Sequence, residues 1–211
     1  MPKATVNWRI YELVKKGIIV RVGKGRFAWG TETQFHPPIT RNLKNINALI
    51  KKQFPFINYC LWDTSIIKPF HQHLSKSDFI LVDIEKYAVE SVFLFLKEKY
   101  KNVFLKPDKE MMDMYVVSNK NSIIVRQLIS ESPTQKEKEV PTVTIEKLVV
   151  DIFSDSEFEY LKGSELLLVI KNIFDSFTVN KSRLLRYASR KGKQDIILSF
   201  LEKNNILQPK K

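Results

Sequence analysis

Cys60 is the only cysteine in 211 residues, so no intrachain disulfide can form, and the composition suits a reducing cytoplasm. Neither a basic-then-apolar leader nor an apolar run of about 20 residues that would span a bilayer is found. The most apolar stretches, 87–96 and 166–174, are broken by charges, so no membrane segment is expected. Glycine is scarce, with six residues, and histidine scarcer, with three; there is no internal repeat and no low-complexity tract. What the chain does have is 44% hydrophobic and 11% aromatic residues, enough to build a core.

Acidic charge is also in short supply, and unevenly so. The formal net charge is +12 and the sequence pI about 9.6. Residues 1–53 hold 11 Lys and Arg against 2 acids, residues 180–211 hold 9 against 2, and residues 54–179 hold 15 against 19. Two basic ends around an acidic centre match the footprint of a nucleic-acid binder, because phosphate contacts gain affinity by releasing condensed counterions.

At the N-terminus, apolar Val6, Ile10, Leu13 and Val14 follow the i, i+4, i+7, i+8 stripe of an amphipathic helix that Gly17 stops. Ile18-Ile-Val-Arg-Val22, a turn at Gly23-Lys-Gly25 and Arg26-Phe-Ala-Trp29 then read as a hairpin. Helix, strand, basic turn, strand is the second half of a winged helix; a complete module has two further helices before it. Such a helix lies in the major groove with its first turns at base edges, and the wing straddles phosphates. Thr5, Asn7, Trp8 and Arg9 occupy those turns, and Arg21, Lys24 and Arg26 flank the wing. Asn pairs with adenine and Arg with guanine in bidentate fashion, so Asn7 and Arg9 are the base-reading candidates, with Lys3, Lys15 and Lys16 on phosphates. Val6, Ile10, Leu13 and Val14 need cover from elsewhere, since a lone helix and hairpin bury little apolar surface.

Residues 31–38 read as a polar, Pro-ended linker. Leu43, Ile46, Leu49 and Ile50 give the next helix its spacing over 42–53. Short strands are expected at 56–61, 79–82, 102–105, 114–117 and 122–125, with helical segments near 66–73 and 85–100. Residues 130–141, which contain the apolar-free run Ser132-Pro-Thr-Gln-Lys-Glu-Lys-Glu139, read as a charged loop, and four helices follow at 144–153, 163–177, 181–190 and 194–204. The expected fold class is α/β (α+β): a partial winged helix over 1–30, a mixed-sheet α/β domain over 39–129, and a helical C-terminal region over 142–208 packing on it.

Catalytic patterns are weak. A nucleotidyltransferase needs Asp-x-Asp soon after a Gly-Ser turn, but Gly163-Ser164 is followed by Glu165 and apolar residues. Pro107-Asp108 with Glu137 or Glu146 lacks the Glu-x-Lys spacing of a metal-dependent nuclease. His36, His71 and His73 have no Cys or carboxylate cluster at metal spacing and read as surface or loop residues. Cys60 reads as an inert core thiol, and no nucleophile elbow is present. Glu146 and Asp151, five apart on a helix, read as helix-surface charge. Arg183, Arg186 and Arg190 share one helical face and, with Lys191 and Lys193, form a second basic zone. No catalytic residue, metal or cofactor is assigned.

The Thr5-Val-Asn-Trp-Arg9, Leu13-Val-Lys-Lys-Gly17 and Arg21-Val-Gly-Lys-Gly-Arg-Phe27 blocks resemble AbiEi-like antitoxins, the regulators of type IV toxin-antitoxin systems in abortive infection. Thr144-Ile-Glu-Lys-Leu-Val-Val-Asp-Ile-Phe153 and Leu184-Leu-Arg-Tyr-Ala188 extend the likeness over most of the chain. The resemblance implies a bacterial, cytoplasmic repressor of its own operon that opposes a nucleotidyltransferase-like toxin, with Thr5, Asn7, Arg9, Lys24 and Arg26 in the DNA role. Two alternatives stand beside it. One is an enzyme acting on nucleic acid or nucleotides through the α/β domain. The other is an interaction module, a homodimer among its forms, anchored by Trp8, Phe27 and Trp29.

Overall fold

The computed structural model describes residues 3–15, 19–23, 25–29, 34–71 and 78–206. Helix α1 (Lys3–Lys15) leads into an antiparallel pair, β1 (Ile19–Gly23) and β2 (Arg26–Trp29). The turn between them holds Gly25 at φ 68°, a left-handed conformation that costs glycine little. This is the helix-then-hairpin order the sequence predicts. Strand β1 lies beside a helix from the far end of the chain, α7 (Lys181–Arg190).

Helix α2 (Arg41–Gln53) starts where the Thr40 hydroxyl accepts from the Leu43 amide, and it buries Leu43, Ile46 and Ile50, as the 3.6-residue spacing requires. Four strands follow: β3 (Tyr59–Asp63), β4 (Phe79–Ile84), β5 (Val103–Leu105) and β6 (Ser122–Gln127). They form one mixed sheet in the order β3-β4-β6-β5, with β3 antiparallel to β4 and the other pairs parallel. Helix α3 (Val89–Lys99) carries the chain from β4 to β5, and the short α4 (Lys109–Met111) begins the return to β6.

Alternate residues of each strand face opposite layers. Leu61, Ile80, Val82, Ile84, Ile123 and Val125 pack with α2 and α3, while Cys60, Trp62, Phe79, Leu81 and Ile124 pack with the C-terminal helices. Both sheet faces are thus covered, which is why every residue of β4 is buried and the strand reads as a nearly continuous apolar run. The second layer comprises α5 (Ile145–Ser154), a 3₁₀ turn at Ser156–Leu161, α6 (Ser164–Ser176), α7 and α8 (Gln194–Lys203). Trp62 stacks on Phe158 with ring centroids 5.6 Å apart. Among the described residues no helix is long and apolar enough to cross a membrane.

Three expectations need correcting. Residues 114–117 are not a strand but the end of a π-helical turn, Met112–Val116, that buries Met112 and Val116 and leaves Met114 and Tyr115 exposed. The charged stretch 130–141 is mostly a hairpin, β7 (Thr134–Glu137) with β8 (Val140–Val143). And the expected linker is pinned from Gln34 onward: Phe35 meets Phe177 edge-on at 5.2 Å, and its carbonyl accepts from Gln135 Nε2 at 3.2 Å.

Candidate nucleic-acid interface

On α1, Asn7, Trp8 and Arg9 are exposed and Thr5 is half-buried. Trp8 is 63% exposed, so its indole lies outside any core. The opposite stripe is only partly covered: Ile10 and Val14 are half-buried, while Val6 and Leu13 remain exposed. Lys16, Gly17, Lys24 and His73 lie outside the described residues, as do the side chains of Lys3, Lys15, Arg21, Arg26 and Trp29.

The second basic zone is carried by α7. The Asn180 side chain caps it by accepting from the Arg183 amide, and the Asn180 amide donates to Glu146 Oε1 of α5 at 3.0 Å. The helix buries Leu184, Tyr187 and Ala188 and turns Arg183, Arg186 and Arg190 outward with side chains 54%, 73% and 50% exposed. Arg183 approaches Glu146 at 3.7 Å, and both Arg186 and Arg190 pair with Glu131. Gly192, at φ 65°, ends the helix, and the Lys193 amide folds back onto the Ala188 carbonyl, the usual glycine-dependent stop. Lys193 is half-buried. Lys191 does not belong to the outer face: its ammonium turns inward to Asp151 and Asp155.

Lys191 joins a buried ionic cluster that the sequence reading did not find. Asp83 on β4 and Arg126 on β6 both project toward α5. The Arg126 guanidinium donates to Asp83, to Asp151 at 3.0 Å, to Asp155 at 2.7 Å and to Glu157 at 3.2 Å. Lys147 Nζ donates to Asp151 Oδ2 at 2.6 Å and lies 2.9 Å from Asp83 Oδ2, close enough for an ion pair but off-line for a hydrogen bond. Tyr187 Oη donates to Asp151 Oδ1 at 2.9 Å. Asp151 therefore accepts from Arg126, Lys147, Tyr187 and Lys191, which fills its lone pairs. Glu146, Lys147 and Asp151 are buried rather than helix-surface charges. Lys147 and Asp151 answer the charges brought by β4 and β6, and Glu146 accepts from the Asn180 amide.

Burial pushes the Asp83 and Asp151 carboxyls up, but the neighbouring Arg126 and Lys147 charges outweigh it and hold both below the usual carboxylate range. Burial would lower Lys147, and Asp151 and Asp83 more than offset that. Burial, followed by the Asp151 charge, raises Asp155. At neutral pH carboxylates this acidic stay deprotonated and an ammonium this basic stays charged, which is poor equipment for general acid–base work. The cluster's chemistry is that of a clasp between sheet and helices.

The other sequence candidates have separate work. Asp108 caps α4 by accepting from Met111 N at 2.8 Å, Glu137 pairs with His36 at 2.9 Å, and Gly163 leads into α6 at φ 90°. His71 sits in a loop as expected, but its side chain is 5% exposed, 3.9 Å from Glu165. Cys60 is fully buried, and burial raises its thiol. The missed signal was legible in hindsight as one charge in each of two apolar strands, Asp83 in Phe-Ile-Leu-Val-Asp-Ile and Arg126 in Ser-Ile-Ile-Val-Arg-Gln.

A model of a family described as a family of unknown function matches residues 5–207. No curated protein matches the chain.

Proposed function

The chain belongs to that family, DUF6577, and from this starting point we propose that it is a DNA-binding transcriptional autoregulator of the antitoxin type. The observation that carries the reading is the meeting of the two basic ends: β1, which follows the exposed Asn7-Trp8-Arg9 turn of α1, lies against α7, whose arginines face outward. Segments some 160 residues apart in sequence thereby come together, a strand of the basic N-terminal stretch against the basic C-terminal helix, and juxtaposed basic segments are what backbone-phosphate binding exploits. In this reading α1 enters the major groove with Asn7 and Arg9 at base edges, and the hairpin and α7 engage phosphates. The buried clasp fixes α7 to α5 through Tyr187 and Lys191. By the likeness to AbiEi-like antitoxins, the DNA is the protein's own operator, the counterpart is a nucleotidyltransferase-like toxin, and the compartment is the cytoplasm.

The test is fluorescence anisotropy of the full chain with duplexes from upstream of its own gene, across a salt series. The expected result is binding whose affinity falls steeply with salt, at a slope of about −0.9 per phosphate neutralised. Asn7→Ala and Arg9→Ala should each cost about 1–3 kcal/mol on the preferred duplex and much less on a scrambled one. Binding that both substitutions leave unchanged, or no binding at low salt, would overturn the reading.

A further inference from the structure

Glu131 occupies the third position of the turn Ile129–Ser132, closed by Ser132 N donating to the Ile129 carbonyl. Its φ of 59° is left-handed, a conformation for which turns ordinarily use Gly or Asn. A glutamate set there at backbone cost directs its carboxylate between the guanidinium groups of Arg186 and Arg190, one helical turn apart on α7. The three side chains, with Ser189 and Gln194, line an open concavity of about 590 Å³. Two guanidinium groups, a hydroxyl and an amide offer more N–H and O–H donors than one carboxylate can accept. They also leave one positive charge unneutralised. A tetrahedral phosphate, with more oxygens and bidentate affinity for arginine, suits this donor set better than the carboxylate that fills it.

We propose that Arg186 and Arg190 form a phosphate-binding fork that Glu131 fills as a built-in anion, so that incoming phosphate must displace Glu131 to engage α7. The source of the phosphate, the backbone of duplex DNA, rests on the function proposed above; the fork and its internal competitor do not. Arg186 is 73% exposed and Arg190 50%, so exchange of one anion for another needs only side-chain movement. Glu131 thereby sets a threshold: weak or isolated phosphates lose to the tethered carboxylate, and only a ligand held elsewhere on the molecule displaces it.

The experiment uses the full chain with two probes, a duplex of random sequence and inorganic pyrophosphate. Glu131→Gln should bind the duplex about fivefold more tightly, with a salt slope steeper by about one, whereas Arg186→Ala/Arg190→Ala should bind more weakly, with a slope shallower by about two. Glu131→Gly, which suits the left-handed backbone, should repeat the gain even if a Gln side chain itself lodges in the fork. Glu131→Gln should also bind pyrophosphate, and lose it when the two arginines are removed. Wild-type affinity and slope in all these variants, while Arg9→Ala still weakens duplex binding, overturns the fork and leaves the DNA reading intact. Pyrophosphate binding by Glu131→Gln without duplex binding by any variant keeps the fork and removes the DNA reading. Failure of Glu131→Gln and Glu131→Gly to bind either probe overturns the fork.

Discussion

Asp83 and Arg126 stand opposite one another in register on the parallel strands β4 and β6, and the Arg126 Nε–H donates to Asp83 Oδ1. From that pairing Arg126 reaches out of the sheet to Asp151 on α5 and to Asp155 and Glu157 beyond it. One planar guanidinium therefore joins two strands to the helical layer, a task that needs its fork of donors rather than a point charge.

Removing it strands four acids around a vacated site. Arg126→Ala is expected to lower the free energy of unfolding by about 3–5 kcal/mol, the usual cost of leaving buried charge without its partner. Arg126→Lys should recover only part of this, because one ammonium cannot meet both strands and α5. Urea denaturation measures both, and a double-mutant cycle with Asp151→Ala should show coupling above about 1 kcal/mol. A loss from Arg126→Ala smaller than about 1 kcal/mol would mean that the cluster decorates the interface instead of holding it.

Acid should open the clasp. Asp83 and Asp151 titrate lower in the folded chain than the ordinary 3.8. Their stabilisation is thus fully present above that value and is lost as pH falls below it through the folded-state values. Asp155 is shifted the other way by burial; its contribution is present below 3.8 and fades as pH rises through its raised value. The first pair dominates, since Asp151 alone accepts from four donors. Unfolding free energy should therefore fall steeply below about pH 4, with Asp155→Asn abolishing a shallow decline just above it. A profile flat to pH 3 would contradict the assigned directions.

Cys60 reports on the same interface without perturbing it. Its thiol is buried beneath α5 and raised by that burial, so labelling requires the helical layer to lift off the sheet. A thiol-specific reagent should react with the native chain roughly a thousandfold or more slowly than with the denatured chain, given typical opening free energies. Lys147→Met, which removes the ammonium shared by Asp83 and Asp151, should speed labelling. Rapid native labelling would mean that α5 is not held as the clasp implies.

What the sequence made legible follows from periodicity. Leu43, Ile46 and Ile50 mark α2, and the four C-terminal helices lie within a residue or two of their expected bounds, because each has an apolar stripe and a polar join. The stretch 114–117 looked extended because Tyr115, Val116 and Val117 are aromatic or β-branched; burial of Met112 and Val116 along a π-turn overrides that local preference. The clasp was hidden for a different reason. Asp83, Arg126 and Asp151 lie 43, 25 and 68 residues from one another in pairs, and a buried charge is recognisable only once its partner is known. By sequence Lys191 groups with the second basic zone beside Arg190, yet it stands one turn after the buried Tyr187 and its ammonium turns inward.

The hairpin β7–β8 escaped notice because its turn carries the wrong residues, and that makes it testable. Glu137 pairs with Val140, leaving Lys138 and Glu139 as a two-residue loop at φ 48° and 64°. Two consecutive left-handed residues define a type I′ turn, the one whose twist suits a hairpin and which Asn-Gly adopts with least strain. Lys138 and Glu139 each pay a Cβ penalty on the order of 1 kcal/mol there. What holds them is the strand beyond, since Val140 and Val143 are buried and β8 lies against β3 and α2. Lys138→Asn/Glu139→Gly should therefore stabilise the protein by about 0.5–2 kcal/mol. The urea midpoint should rise, the m-value should not change, and β7 amides should gain protection from hydrogen exchange. A lower midpoint would show that the lysine and glutamate are kept for a contact of their own, and that the strain in this turn has a purpose beyond closing it.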